Sequence, residues 1–309
     1  MRTVPVLLFA AALAACDPQT PPGPQAGAEV APAEPAGTPD ASPAAAGDAS
    51  ARLARVLAEK PEEFRARYAH RHPQETLEFL GIEPGMTVVE VLPGGGWYSQ
   101  VLIPYLGREG RLIGANYAQD MWPRFGMFDQ AFIDSMQTWT TDWPREAQQW
   151  QGEDGATVDA FELGSMPASL EGQADAVLFI RALHNLARFE GEGGYLTAAL
   201  GDAHRVLKPG GILGVVQHEA RPDMPDEWAN GDNGYLKKSF VIEQATAAGF
   251  ELVDESDVNQ NPKDRPTAEE VVWRLPPSYA TSRDDPELRA QMDAIGESNR
   301  MTLKFRKPR

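Results

Sequence analysis

The chain has 309 residues, with 28 Lys and Arg against 45 Asp and Glu, and a formal net charge of −17 at pH 7. A chain this acidic, with a sequence pI near 4.7, repels a nucleic-acid backbone, which excludes DNA and RNA as expected partners. A single Cys excludes an internal disulfide and any Cys-rich zinc site.

The first segment, residues 1–16, reads MRTVPVLLFAAALAAC. Arg2 gives a positive start, and residues 4–13 form an apolar run too short to span a bilayer, so residues 1–15 read as a signal peptide. The closing Leu13-Ala14-Ala15-Cys16 resembles the lipobox of bacterial lipoproteins. That resemblance implies that Cys16 is lipidated and begins the mature chain. Residues 16–50 are rich in Pro, Ala and Gly and carry little that is apolar beyond Val30, as in a solvated tether. Asp17 resembles the residue that keeps such lipoproteins at the inner membrane. The expected address is a periplasm-facing lipoprotein that meets the membrane through its lipid anchor only.

Residues 51–309 are expected to form one domain. Helical spacing runs from 51 to 80, interrupted at Pro73, and residues 75–80 predict a further short helix. Gly81 and Pro84-Gly85 then punctuate the chain. Short apolar runs at 87–92, 111–116, 174–180, 212–217, 251–258 and 301–306 predict strands separated by segments of helix length. That alternation predicts an α/β fold: βαβ units, a parallel sheet, helices on both faces. The aromatic-rich stretch 118–150 reads as an amphipathic helix packed on the sheet, or as a lid or substrate wall.

Two motifs carry chemistry. In Val88-Val89-Glu90-Val91-Leu92-Pro93-Gly94-Gly95-Gly96-Trp97-Tyr98-Ser99 a buried strand ends near an acid and opens into a glycine turn and a helix. Such a loop admits a nucleotide-type ligand close to the backbone, beside helix N–H groups. The third glycine of the dinucleotide fingerprint is missing, which argues against NAD or FAD. The second motif is Arg205-Val206-Leu207-Lys208-Pro209-Gly210-Gly211, a helix end and turn leading into a buried strand.

With Ala174-Asp175-Ala176-Val177-Leu178 between them, these motifs resemble the ordered signature of class I S-adenosylmethionine-dependent methyltransferases. PGGGWYS, Arg181-Ala182-Leu183-His184-Asn185 and the ending Leu303-Lys304-Phe305-Arg306-Lys307-Pro308 resemble a family of predicted bacterial methyltransferases. The resemblance spans about residues 70–309. It implies a doubly wound, Rossmann-like class I methyltransferase sheet, S-adenosyl-L-methionine as cofactor and a small-molecule acceptor. It also implies that Glu90 organises the cofactor loop and that Gly94, Gly95 and Gly96 pass under the methionine part. Two positions depart from the pattern: Leu92, with Pro93 beside it, replaces the first glycine, and Asn116 replaces an acid that bridges the ribose hydroxyls. Glu162 is the candidate for the adenine-binding acid after the third strand. Trp97 and Tyr98 either wall the cofactor pocket or pack the next helix.

Arg181, His184 and Asn185 follow one predicted strand, and His218 and Glu219 follow another, at the ends where open α/β sheets bind ligands. Methyl transfer depends mostly on positioning, with a base needed where the acceptor must lose a proton. His184 is the candidate base, Arg181 or Asn185 orients the acceptor, and His218 is a further catalytic candidate. The alternative is that these polar residues cap helices or tie loops. His184, His218 and Glu219 lack the tight spacing of a metal motif, and no metal site is expected. Leu92, Asn116 and an address remote from the cytoplasmic cofactor pool favour a rival reading, a non-enzymatic binding domain that keeps the methyltransferase fold.

Overall fold

The computed structural model describes residues 43–309. The expected signal peptide, Cys16, Asp17 and most of the tether lie outside them. The end of the expected tether belongs to the domain instead. Helix α1 (Pro43–Ala58) starts well before residue 51, and Ser50 Oγ donates to Glu78 Oε1 at 2.6 Å. Pro and Ala mark a linker by composition, but Pro in a first turn followed by three Ala also begins a helix. Leu53, Val56 and Leu57 then bury one face of it.

Short helices α2 (Glu62–Arg65), α3 (Tyr68–Arg71) and α4 (Pro73–Leu80) follow. Pro73 divides the last two as expected and occupies the first position of α4, where its missing N–H costs no helical bond.

Seven strands build one sheet: β1 (Thr87–Val91), β2 (Arg111–Asn116), β3 (Thr157–Glu162), β4 (Ala174–Ile180), β5 (Leu207–His218), β6 (Glu251–Ser256) and β7 (Arg300–Arg306). Their order is β3-β2-β1-β4-β5-β7-β6. The first five are parallel, but β7 runs antiparallel to both β5 and β6, so the sheet is mixed and not wholly parallel. Strand β3, absent from the predicted set, is a half-exposed edge strand whose Asp159 and Glu162 hide its pattern and blunt the edge. Strand β5 begins at Leu207 and so includes the Pro-Gly-Gly segment expected to be a turn.

The remaining helices are α5 (Ser99–Leu106), α6 (Gln130–Met136), α7 (Trp139–Ala147), α8 (Leu183–Arg188), α9 (Glu190–Gly193), α10 (Tyr195–Val206), α11 (Lys238–Ala247) and α12 (Pro286–Ile295). The stretch 118–150 is not one helix: a 3₁₀ turn (Gln119–Phe125), α6, α7 and a second 3₁₀ turn (Gln148–Trp150) share it. Gly126, left-handed at φ 67°, ends the first turn. Among the described residues no helix is long and apolar enough to cross a membrane.

The sheet is doubly wound and Rossmann-like, with a hydrophobic core on each face. Period-two alternation sends Val89 and Val91 of β1 to one core, with Leu183, Leu200 and Val241. Val88 goes to the other, with Leu53, Leu77 and Leu102. The segment after β6 folds back to the sheet. Buried Asp264 pairs with Arg274 at 2.7 Å and accepts from Tyr235 Oη and from Asn299 N, each at 2.9 Å. That network carries residues 297–299 to the C-terminal edge of the parallel strands.

Candidate functional site

Strand order reverses between β1 and β4, the point of an open α/β sheet at which crossovers diverge and leave a crevice. Two cavities, of about 500 and about 560 Å³, meet there and share Leu92, Gly94, Arg181 and Asn185. Both volumes suit a small molecule.

The larger cavity lies over the end of β2. Asn116, Tyr117, Trp139 and Trp143 line it, with Asp142 and Glu146 from α7. Asn116 Oδ1 accepts from Tyr117 N at 2.9 Å, and Asn185 Nδ2 donates to Tyr117 Oη at 2.7 Å, linking the end of β2 to α8. The aromatic stretch thus forms a wall here as well as packing on the sheet. Glu90 sits below the loop and lines neither cavity. It accepts from Ser99 Oγ at 2.6 Å and so ties β1 to the first turn of α5. Burial pushes its carboxyl up to about 7, against the pull of the Ser99 bond.

Along the loop, a Cβ built on Gly95 would meet nothing within 4 Å, whereas one on Gly96 would fall 2.2 Å from the Trp150 ring. Gly94 and Gly95 therefore face the cleft, and Gly96 serves the packing of Trp150. Leu92 adopts φ 55°, the left-handed backbone that the expected glycine would take. Glu162 and Tyr98 line neither cavity. Glu162 accepts from Gln119 Nε2, and Tyr98, 4% exposed, donates to Arg71 O at 3.5 Å.

The second cavity lies over β4 and β5. Arg181, His184, Asn185 and His218 line it, so the structure brings together the four polar candidates. The amide of Gln217 is oriented by its Nε2 donating to Gly234 O at 3.0 Å, which turns Oε1 to His184 Nδ1 at 3.4 Å. Nδ1 then carries the proton, and Nε2 keeps its lone pair. Burial, and the charges of Arg181 and Arg188, hold His184 down to about 4 despite the Gln217 bond. The His218 ring, 5.4 Å from that of His184, is held well below the ordinary range by burial, His184 and the nearby arginines. His218 Nδ1 meets Ser298 Oγ at 2.5 Å. Both imidazoles are neutral at pH 7. Glu219 lies off the cavity, its Oε2 buried without a hydrogen-bond partner. No group of three or more His, Cys, Asp or Glu among the described residues is arranged to hold a metal.

Trp97 belongs to this second cavity. Its ring stacks on Phe64 at 4.6 Å, and Arg71 lies 4.5 Å over it. Arg71, Glu297 and Ser298 went unforeseen. A charged residue in a helical pattern signals a solvated face, and nothing local to 297–298 marks burial.

No protein-family model and no curated protein sequence matches the chain. Solved structures do. The crystal structure of the (4+2)-cyclase SpnF is 21% identical, with TM-score 0.46, over 77% of this chain and 80% of that one. A SAM-dependent methyltransferase from Aquifex aeolicus is 16% identical, with TM-score 0.44, over 67% and 93%. The 1,6-didemethyltoxoflavin-N1-methyltransferase of Burkholderia thailandensis, solved with 1,6-didemethyltoxoflavin and S-adenosylhomocysteine bound, is 14% identical, with TM-score 0.42, over 89% and 94%. At these identities and scores the likeness assigns no activity, substrate or ligand to this chain.

Proposed function

We propose that the chain is an S-adenosylmethionine-dependent methyltransferase with a small-molecule acceptor, exported and anchored through lipid at Cys16. The observation that carries the reading is the junction of two ligand-sized cavities at the switch point, one over the end of β2 and one lined by neutral histidines, with Gly94 of the glycine loop bordering both.

The residues present fit the cofactor. Gly94 and Gly95 leave bare backbone along the cleft, and left-handed Leu92 gives the loop the course that glycine would. The Asn116 amide suits a ribose diol, and Tyr117 and Trp139 offer aromatic faces to a base. Bound there, S-adenosylmethionine supplies an electrophilic methyl group on a sulfonium. The protein's part is to hold the acceptor in the neighbouring cavity, with Arg181 and Asn185 on the boundary, and to exclude water. His184 Nε2 takes a proton where the acceptor must lose one. Its low basicity suits an acceptor whose own proton is acidic.

Calorimetric titration with S-adenosylmethionine and S-adenosylhomocysteine tests the reading, and no heat at millimolar ligand refutes it. Asn116 brings no charge to a diol, and one lone pair of its Oδ1 already accepts from Tyr117 N. That favours the second reading, a non-enzymatic binding domain, which the same null titration would support.

A further inference from the structure

Four arginines converge on one carboxylate behind the second cavity. Glu297 pairs with Arg67, with Arg71 Nε at 3.1 Å, with Arg300 NH1 at 3.2 Å and with Arg181 NH1 at 4.0 Å. The cluster keeps an excess of three positive charges, inside a protein whose net charge is −17. Its neighbours along the cavity are neutral: His184, His218, Ser298 and Trp273.

Two of the arginines have donors to spare. The Arg181 side chain makes no hydrogen bond among the described residues, its ion-pair approach to Glu297 being 4.0 Å, and it borders both cavities. Arg71 spends only Nε on Glu297, and its guanidinium carbon lies 4.5 Å from the centre of the Trp97 ring. Burial, and then the repulsion of Arg181, lowers Arg71 to about 10, as expected where positive charge outnumbers negative. A guanidinium presents a planar fork of donors that matches carboxylate or phosphate oxygens.

We propose that Arg71 and Arg181, set by Glu297, recognise an oxyanion, a carboxylate or phosphate, on the small molecule that accepts the methyl group. The proposal deepens the function proposed above and rests on it for naming that ligand the acceptor. Taken whole, the cofactor leaves the positive excess in place: its methionyl ammonium offsets its carboxylate, and its sulfonium adds a further positive charge, which favours a negative charge on the other ligand. The acidic exterior repels extended polyanions, and a cavity of about 500 Å³ admits a small one. Burial is the main cause of the weak basicity of His184, and an anion seated here offsets the smaller contribution from Arg181.

The full-length protein is titrated calorimetrically with malonate and, separately, with inorganic phosphate, each alone and with saturating S-adenosylhomocysteine. At least one anion is expected to bind in both states, and which one binds separates a carboxylate from a phosphate. Arg71→Gln and Arg181→Gln should each weaken it at least about tenfold, and Arg181→Lys should weaken it less. Binding of neither anion, or undiminished binding by folded variants, overturns the proposal. Competition between anion and S-adenosylhomocysteine also overturns it, because the arginines then serve the cofactor's carboxylate. This arm uses the native protein and does not depend on the variants folding. If S-adenosylhomocysteine itself fails to bind, the function proposed above fails, and titration of the cofactor-free protein still decides whether the arginines form an oxyanion site.

Discussion

Leu92 and Arg181 follow neighbouring parallel strands, β1 and β4, and both adopt left-handed backbone, at φ 55° and 59°. Both border both cavities. Non-glycine residues in this region cost roughly 1–3 kcal/mol each and persist where the surroundings over-determine them, commonly at ligand sites. At position 92 the branch point of the side chain decides the cost. Leu92→Val keeps an apolar side chain but moves the branch to Cβ, which left-handed backbone rejects. It should lower stability by about 1–3 kcal/mol in urea unfolding. A midpoint equal to wild type would mean that the loop relaxes without strain.

Glu90 predicts a pH dependence of its own. Its folded-state pKa is raised from 4.5 to about 7, so the stability of the protonated form is fully present below about 4.5 and is lost as pH rises through about 7. Glu90→Gln stays neutral and still accepts from Ser99. It should be more stable than wild type by about 3 kcal/mol at about pH 8, with no gain near pH 4.5. Paired urea melts at the two pH values check this, and equal midpoints at the higher one would contradict it.

Glu297 has the opposite sign. Burial pushes its carboxyl up, but the four arginines outweigh burial and hold it down to about 2 from 4.5. Its contribution is therefore present above about 4.5 and lost as pH falls through about 2, amounting to about 3 kcal/mol. Glu297→Gln leaves the guanidinium groups without their anion, and at neutral pH it should cost roughly 3–5 kcal/mol. The deficit should shrink on acidification. Denaturant midpoints across the acid range measure both effects, and a variant as stable as wild type at neutral pH would show that the cluster is not held by this carboxylate.

Gly95 separates binding from folding. With open space around its Cβ position, Gly95→Asp should leave thermal stability near that of wild type and abolish binding of S-adenosylhomocysteine, because the new carboxylate projects into the cleft. Calorimetry with undiminished binding would place the cofactor elsewhere. Gly96→Ala should do the reverse in part: it meets the Trp150 ring and strains a left-handed position, lowering stability by about 1–3 kcal/mol.

Lipidation at Cys16 is tested in cells. Cys16→Ser should release the protein from membranes into the soluble fraction and stop incorporation of labelled fatty acid. Persistent membrane association in that variant would refute the anchor.

Strands β2 and β4 appear at the residues their apolar runs marked, because a buried strand bounded by polar or turn residues is a local pattern. The antiparallel direction of β7 was not legible, since Met301, Leu303 and Phe305 would read alike in either orientation. The same divide runs through the site. Arg181, His184, Asn185 and His218 line one cavity at the strand ends, where the rule that ligands gather there places them as candidates. Arg67, Arg71 and Arg300 were not legible in that way, because their common partner, Glu297, lies far from two of them in the chain.

The sequence by itself determined the strand–helix alternation, the glycine loop after β1 and the polar residues after β4 and β5, all of which depend on neighbours a few positions apart. It also carries the whole argument for the N-terminal anchor. Only the tertiary structure decided that β7 reverses, that Leu92 keeps the course of a glycine, and that four arginines share one buried carboxylate. Burial and charge balance are sums over residues remote in the chain, and no local pattern records them.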